Sequence, residues 1–99
     1  MRSLGVIFLA DVVGYSKMMA EDETRALNLI REFQKEIIRP TLDKFNGNMI
    51  KSLGDGWLIE FKSASESVDC ALEWLKLSKK QGKLDLRVGI HLGDVEHEE

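Results

Sequence analysis

The stretch Met49-Ile50-Lys51-Ser52-Leu53-Gly54-Asp55-Gly56-Trp57-Leu58-Ile59-Glu60-Phe61 constrains the fold of this chain more than any other. Two short strand-forming runs joined by Gly54-Asp55-Gly56 read as a hairpin, because glycine supplies the positive φ that a tight turn needs. The turn holds the Asp55 carboxylate at a sheet end, between two rigid strands. Asp-Gly turns are common and on their own carry no chemistry. A second aspartate has a similar setting. Asp11 follows the apolar run Leu4-Gly5-Val6-Ile7-Phe8-Leu9-Ala10 and opens a turn, Val12-Val13-Gly14-Tyr15-Ser16. Two acids at the ends of neighbouring strands make a hard, oxygen-rich site suited to magnesium or manganese.

The rest of the chain supplies the elements that bring these acids together. Leu4 to Ala10 is continuously apolar, as in a central strand covered on both faces. Asp11 to Ala20 reads as a turn and an irregular stretch. Glu21-Asp22-Glu23 then opens a helix, with acids at its positive end. Its buried stripe is Leu27, Ile30, Phe33 and Ile37, with Arg25, Arg31, Glu32 and Lys35 facing water. Pro40 kinks this helix or ends its regular part, and Asn46-Gly47 terminates it. After the hairpin, Ser63 and Glu66 fit a capping box. Val68, Ala71, Leu72 and Leu75 form the predicted inner stripe of this second helix, with Trp74 widening it. Lys76, Lys79 and Lys80 near its end suit the dipole, and Gly82 stops it. Cys70 on this helix reads as an inert core thiol. The last strand, Leu84 to Leu92, alternates, with Asp85, Arg87, Gly89 and His91 on one side.

The element order is β-α-β-β-α-β, so the expected fold class is α+β, ferredoxin-like, a four-stranded antiparallel sheet with two helices on one face. The first strand and the one after Gly56 would be central, which places Asp11 beside Asp55.

Composition narrows the function. Fourteen basic against seventeen acidic side chains give a net charge of −3, without the basic excess of a nucleic-acid scaffold. A single cysteine excludes an internal disulfide. No apolar run approaches the ~18 residues of a membrane span, and the start lacks a signal-peptide pattern. The expected setting is cytoplasmic. The acidic run after Gly93 supplies no closing element, as expected of a piece cut from a longer protein.

Three blocks carry a resemblance. Phe8-Leu9-Ala10-Asp11-Val12-Val13-Gly14-Tyr15-Ser16, then Lys51-Ser52-Leu53-Gly54-Asp55-Gly56 with Phe61, then Leu86-Arg87-Val88-Gly89-Ile90-His91-Leu92-Gly93-Asp94-Val95 stand in the order and spacing of one family. The sequence resembles the class III nucleotidyl cyclase catalytic domain of adenylate and guanylate cyclases, with residues 1–99 as its N-terminal part. The resemblance implies two magnesium or manganese ions held by Asp11, Asp55 and the carbonyl of Val12. It implies in-line attack of the substrate 3′-hydroxyl on the α-phosphate, turning ATP into cyclic AMP and pyrophosphate. Asp11 and Asp55 would be the catalytic acids, and Val13, Gly14 and Tyr15 would lie against the substrate. Lys51 stands where the family reads the base, and lysine there accompanies adenine, whose N1 accepts a hydrogen bond. The family's sites form between two chains, so a homodimer through the sheet face opposite the helices is implied.

The match also has gaps. The family's second base-reading residue and its Asn…Arg pair lie beyond the Gly93-Asp94-Val95 block, and the sequence stops six residues after Gly93. By the resemblance this span alone would turn over little. The alternative is a non-catalytic nucleotide-binding or dimerisation module of the same fold. A diguanylate cyclase would need paired glycines and paired acids, which Leu53-Gly54-Asp55-Gly56 lacks. His91 and His97 read as packed or interface residues rather than metal ligands.

Overall fold

Alternation along the first strand decides which residues make the core. In the computed structural model, which describes residues 2–96, β1 (Arg2–Val12) buries Val6, Phe8, Ala10 and Val12 on one face. Ile7, Leu9 and Asp11 point to the other face, where cover is incomplete. After β1 come α1 (Tyr15–Glu21), α2 (Glu23–Phe33), a π-helical segment (Gln34–Ile38) and α3 (Arg39–Phe45). The hairpin strands β2 (Asn48–Ser52) and β3 (Gly56–Phe61), then α4 (Ala64–Gln81) and β4 (Leu86–Glu96), complete the order. The sheet runs β2-β3-β1-β4 with every neighbouring pair antiparallel. This is the expected ferredoxin-like α+β arrangement. His97 and the last two glutamates lie outside the described residues.

The helix-side core is aromatic. Trp57, Ile59 and Phe61 of β3 lie opposite Ala10, Phe8 and Val6 and share their face. Phe8 meets Trp74 edge-on at 5.0 Å between ring centroids, and Phe61 at 5.5 Å. Trp57 is fully buried and donates from Nε1 to Gln34 Oε1. Among the described residues no buried side-chain nitrogen or oxygen lacks a partner.

The first crossover differs from a single kinked helix. Residues 15–21 are helical rather than irregular, with Gly14 at φ 76° as the cap. Asp22 breaks α1 from α2 in extended backbone, and its carboxylate accepts from the Arg25 N–H. The π-turn has a local cause. Pro40 cannot donate to the carbonyl four residues back, and the Arg39 N–H instead reaches Gln34 O. Thr41 Oγ1 then donates to the Ile37 and Ile38 carbonyls. Along α2, Ala26, Ile30 and Phe33 are buried, while Leu27 is only half-buried. Asn46, at φ 59°, ends α3 as predicted.

The inner face of α4 corrects the sequence reading. Ser67, Cys70, Ala71, Trp74 and Ser78 face the core, while Val68, Leu72 and Leu75 are exposed. The aromatic side chains of β1 and β3 already fill the space above the sheet. The helix therefore presents small residues around one tryptophan. Ser67 and Ser78 can be buried because each hydroxyl donates to a carbonyl three residues back. The capping box is half formed: Ser63 Oγ accepts from the Glu66 N–H, but the Glu66 carboxylate accepts from Asn46 Nδ2. On β4, the predicted apolar side is covered only in part. Leu86 and Val88 pack on the core, whereas Ile90 and Leu92 stay exposed.

Candidate functional site

Strand register places the two acids together. Asp11 lies directly across from Gly56 on β3, one residue from Asp55. The Val12 N–H donates to the Asp55 carbonyl at 2.9 Å, which locks the hairpin turn against the end of β1. The turn is closed by the Leu53 N–H on Gly56 O at 2.7 Å, with Gly54 at φ 85°. Only Gly54 uses glycine's positive φ. Gly56 is needed for a different reason: a Cβ there would stand 2.9 Å from the Ala10 carbonyl and 3.4 Å from Asp11 Cβ. The close approach that puts Asp55 at Asp11 therefore depends on a missing side chain.

Asp11 has a partner on its other side. Arg87 of β4 is its direct cross-strand neighbour. Nε donates to Asp11 Oδ1 at 3.0 Å and Nη2 to Oδ2 at 3.1 Å. This two-pronged hydrogen bond, reinforced by the opposite charge, pushes the Arg87 pKa further up and keeps the guanidinium charged. Sequence reasoning gave Arg87 only a place on the pairing face. The signal it missed was register, since Asp11 and Arg87 are 76 positions apart in the chain.

The donor set suits a hard divalent ion. Asp11 ends β1 across from Gly56, the residue after Asp55, and apolar Val12 could contribute only its backbone carbonyl. Magnesium is usually held by one or two carboxylates and keeps several waters or substrate oxygens. Among the described residues no group of three or more His, Cys, Asp or Glu side chains is placed to hold an ion. His91 is exposed on the open face, away from this pair.

Lys51 reaches the same face by an irregularity. Met49 pairs with Ile59 on the core side, and a bulge at Ile50 then sets Lys51, rather than Ile50, opposite Leu58. Without that extra residue Lys51 would turn toward the helices. From Asp11 it lies two strands across and two residues along, roughly 12 Å by ordinary strand spacing. One chain therefore does not bring Lys51 to the acids. Val13, Gly14 and Tyr15 follow directly after β1. Val13 is exposed and its N–H donates to the Asp85 carbonyl at 2.8 Å, while Tyr15 leans on the core. The acids sit on an open surface. A concavity of about 500 Å³ lined by Asn46, Asn48, Glu60, Lys62 and Glu66 lies at the other end of the hairpin.

The fold and site together define a class: a βαββαβ domain with paired carboxylates at one end of its central strands, on an uncovered sheet face. No family model matches the chain. It is 36% identical over 101 residues to a candidate adenylate cyclase of Rhizobium meliloti (strain 1021), covering 95% of this chain and 17% of that protein. The structure of an adenylate/guanylate cyclase/hydrolase from Silicibacter pomeroyi superposes with a TM-score of 0.86 at 33% identity, over 95% of this chain and 59% of that one. An adenylyl cyclase from P. aeruginosa gives 0.84 at 19% identity, over 95% and 58%, a likeness of fold. These likenesses support a class III nucleotidyl cyclase catalytic domain, and the chain spans only part of the length of the proteins it matches. Among the described residues no helix is long and apolar enough to cross a membrane.

Proposed function

We propose that the protein carrying this chain is a class III nucleotidyl cyclase that converts ATP to cyclic AMP and pyrophosphate. The observation that carries the reading is the pairing of Asp11 with Gly56, which sets the Asp55 turn beside the Asp11 carboxylate. Asp11, Asp55 and the Val12 carbonyl would hold magnesium or manganese. When bound, the ions supply charge stabilisation at the attacking and leaving oxygens. The chain's own residues orient the substrate. Val13, Gly14 and Tyr15 lie at the same strand end, where the triphosphate would rest. Lys51 would donate to adenine N1 from a second copy, as the family's two-chain sites imply.

Support for that second copy comes from the open face, where Leu9 and Ile50 are exposed beside half-buried Ile7 and Leu58. This apolar strip adds to the polar and small surface of Arg87, Gly89 and His91, and suits a homodimer. The test is cyclic-nucleotide formation with Mn²⁺ and either ATP or GTP. It is run on a chain extended to the length of the domains it matches, beside Asp55→Asn. Cyclic AMP formation lost in the variant supports the reading, and formation of cyclic GMP alone would reassign the base. Equal activity in both would remove Asp55 from the chemistry. The rival reading, a non-catalytic nucleotide-binding or dimerisation module, draws on Arg87, whose fork already satisfies both oxygens of Asp11.

A further inference from the structure

We propose that Arg87 is the resident cation of Asp11 and that a divalent ion and the Arg87 guanidinium exchange places on that carboxylate. The inference rests on the metal-binding reading above and adds a residue that sets how readily the ion enters.

Three observations carry it. Both Asp11 oxygens receive an N–H from one guanidinium, at 3.0 and 3.1 Å. An ion bound to Asp11 must sit about 2.0–2.1 Å from at least one of those oxygens. It would then share the carboxylate with a group of like charge. The two cannot both keep their best geometry, so one displaces the other. Second, the arginine is free to leave: its side chain is 73% exposed, against 40% for Asp11, and its fork rests on an open sheet face. Third, the pair is built into the sheet. Asp11 and Arg87 are direct partners in the β1–β4 register, so the fork re-forms whenever the ion departs. The contact between Lys83 Nζ and Glu32 Oε1, at 3.2 Å, has a single prong and no such register behind it.

The consequence is a site held in order without its ion. Arg87 neutralises Asp11 and fixes the plane of its carboxylate, and the ion's affinity is lowered by the strength of that contact. An exposed pair of this kind is weak, so the penalty should be about two- to five-fold in affinity.

The test follows the Arg87 Nε–H resonance of the ¹⁵N-labelled chain during titration with Mg²⁺, together with calorimetric Mn²⁺ affinities for wild type, Arg87→Gln and Arg87→Lys. The expected result is that the backbone amides of Val12 and Gly56 and the Arg87 Nε–H move at the same Mg²⁺ concentration. Both variants should then bind Mn²⁺ about two- to five-fold more tightly. Arg87→Lys keeps the charge and loses the fork, so its gain separates displacement from simple repulsion. If the amides move while the Arg87 Nε–H does not, or if Arg87→Lys binds as wild type does, the exchange is wrong and the cyclase reading stands. If no ion binds to any of the three, the metal reading falls and this inference with it. The wild-type titration decides the matter even if a variant folds poorly.

Discussion

The two faces of β1 differ by one residue step and divide the work of the molecule. On the helix side Val6, Phe8, Ala10 and Val12 are packed beneath Trp74 and the β3 aromatics. On the open side Leu9 is 48% exposed and the Asp11 carboxylate is held by an arginine from β4. Stability sits on the first face, and the site sits on the second. Because side chains alternate, the core residues Ala10 and Val12 hold the backbone that aims Asp11. A closed face thus supports an open one.

The largest expected break in this comparison is Phe8→Ala set against Leu9→Ala. Loss of the buried ring should cost about 3–5 kcal/mol, and loss of the exposed leucine about 1 kcal/mol or less. Urea midpoints of the two variants measure the difference. Equal costs would mean that the open face is covered in the isolated chain.

Gly56→Ala comes next, because its Cβ would press on the Ala10 carbonyl from 2.9 Å. Separation of β3 from β1 at that point should cost about 1–3 kcal/mol. It should also weaken Mn²⁺ binding, since the Asp55 turn moves with β3. Calorimetry and a urea titration of the same sample read both effects.

The closed face also has a pH signature. Burial pushes the Cys70 thiol up to about 12, partly offset by a hydrogen bond with Thr41, with the nearby Glu73 charge adding to the rise. A free thiol ionises near 9, so above that pH the unfolded chain loses this proton first. The contribution of Cys70 to stability is therefore full below about pH 9 and fades as the pH climbs toward 12. The urea midpoint should fall over that range, and less steeply in Cys70→Ala.

The smallest effect belongs to the outer stripe of α4. Leu72 is 60% exposed, so Leu72→Ala should change stability by only about 0.5 kcal/mol. A core-sized loss in the urea midpoint would restore the stripe read from sequence.

That stripe shows where sequence reasoning succeeds and fails here. The hairpin, the Ser63 cap and the end at Asn46 were legible because each rests on local residue chemistry, and the strand order because it follows from the element order. The inner face of α4 was not. Its small residues face the core because Phe8, Trp57 and Phe61 arrive from distant strands, and periodicity alone ranks Leu72 above Ser67. Helix α1 was missed because Tyr15 to Glu21 is only about two turns long and its apolar side, Tyr15 and Met18, is only half-buried against the core. For the site, Asp11 and Asp55 follow from topology. The Arg87 fork and the Ile50 bulge depend on register, which hydrophobic patterning does not specify to a single residue.

The measurement that tests the account most directly is Mn²⁺ binding by calorimetry to the wild-type chain and to Asp55→Asn, with a urea midpoint for each. Asp55 is half-buried in an exposed turn, so its midpoint should shift by no more than about 0.5 kcal/mol in stability. The account predicts a folded variant with clearly weaker Mn²⁺ binding. A variant that loses its fold while its folded fraction binds Mn²⁺ as wild type does would contradict the account and leave Asp55 a turn residue only.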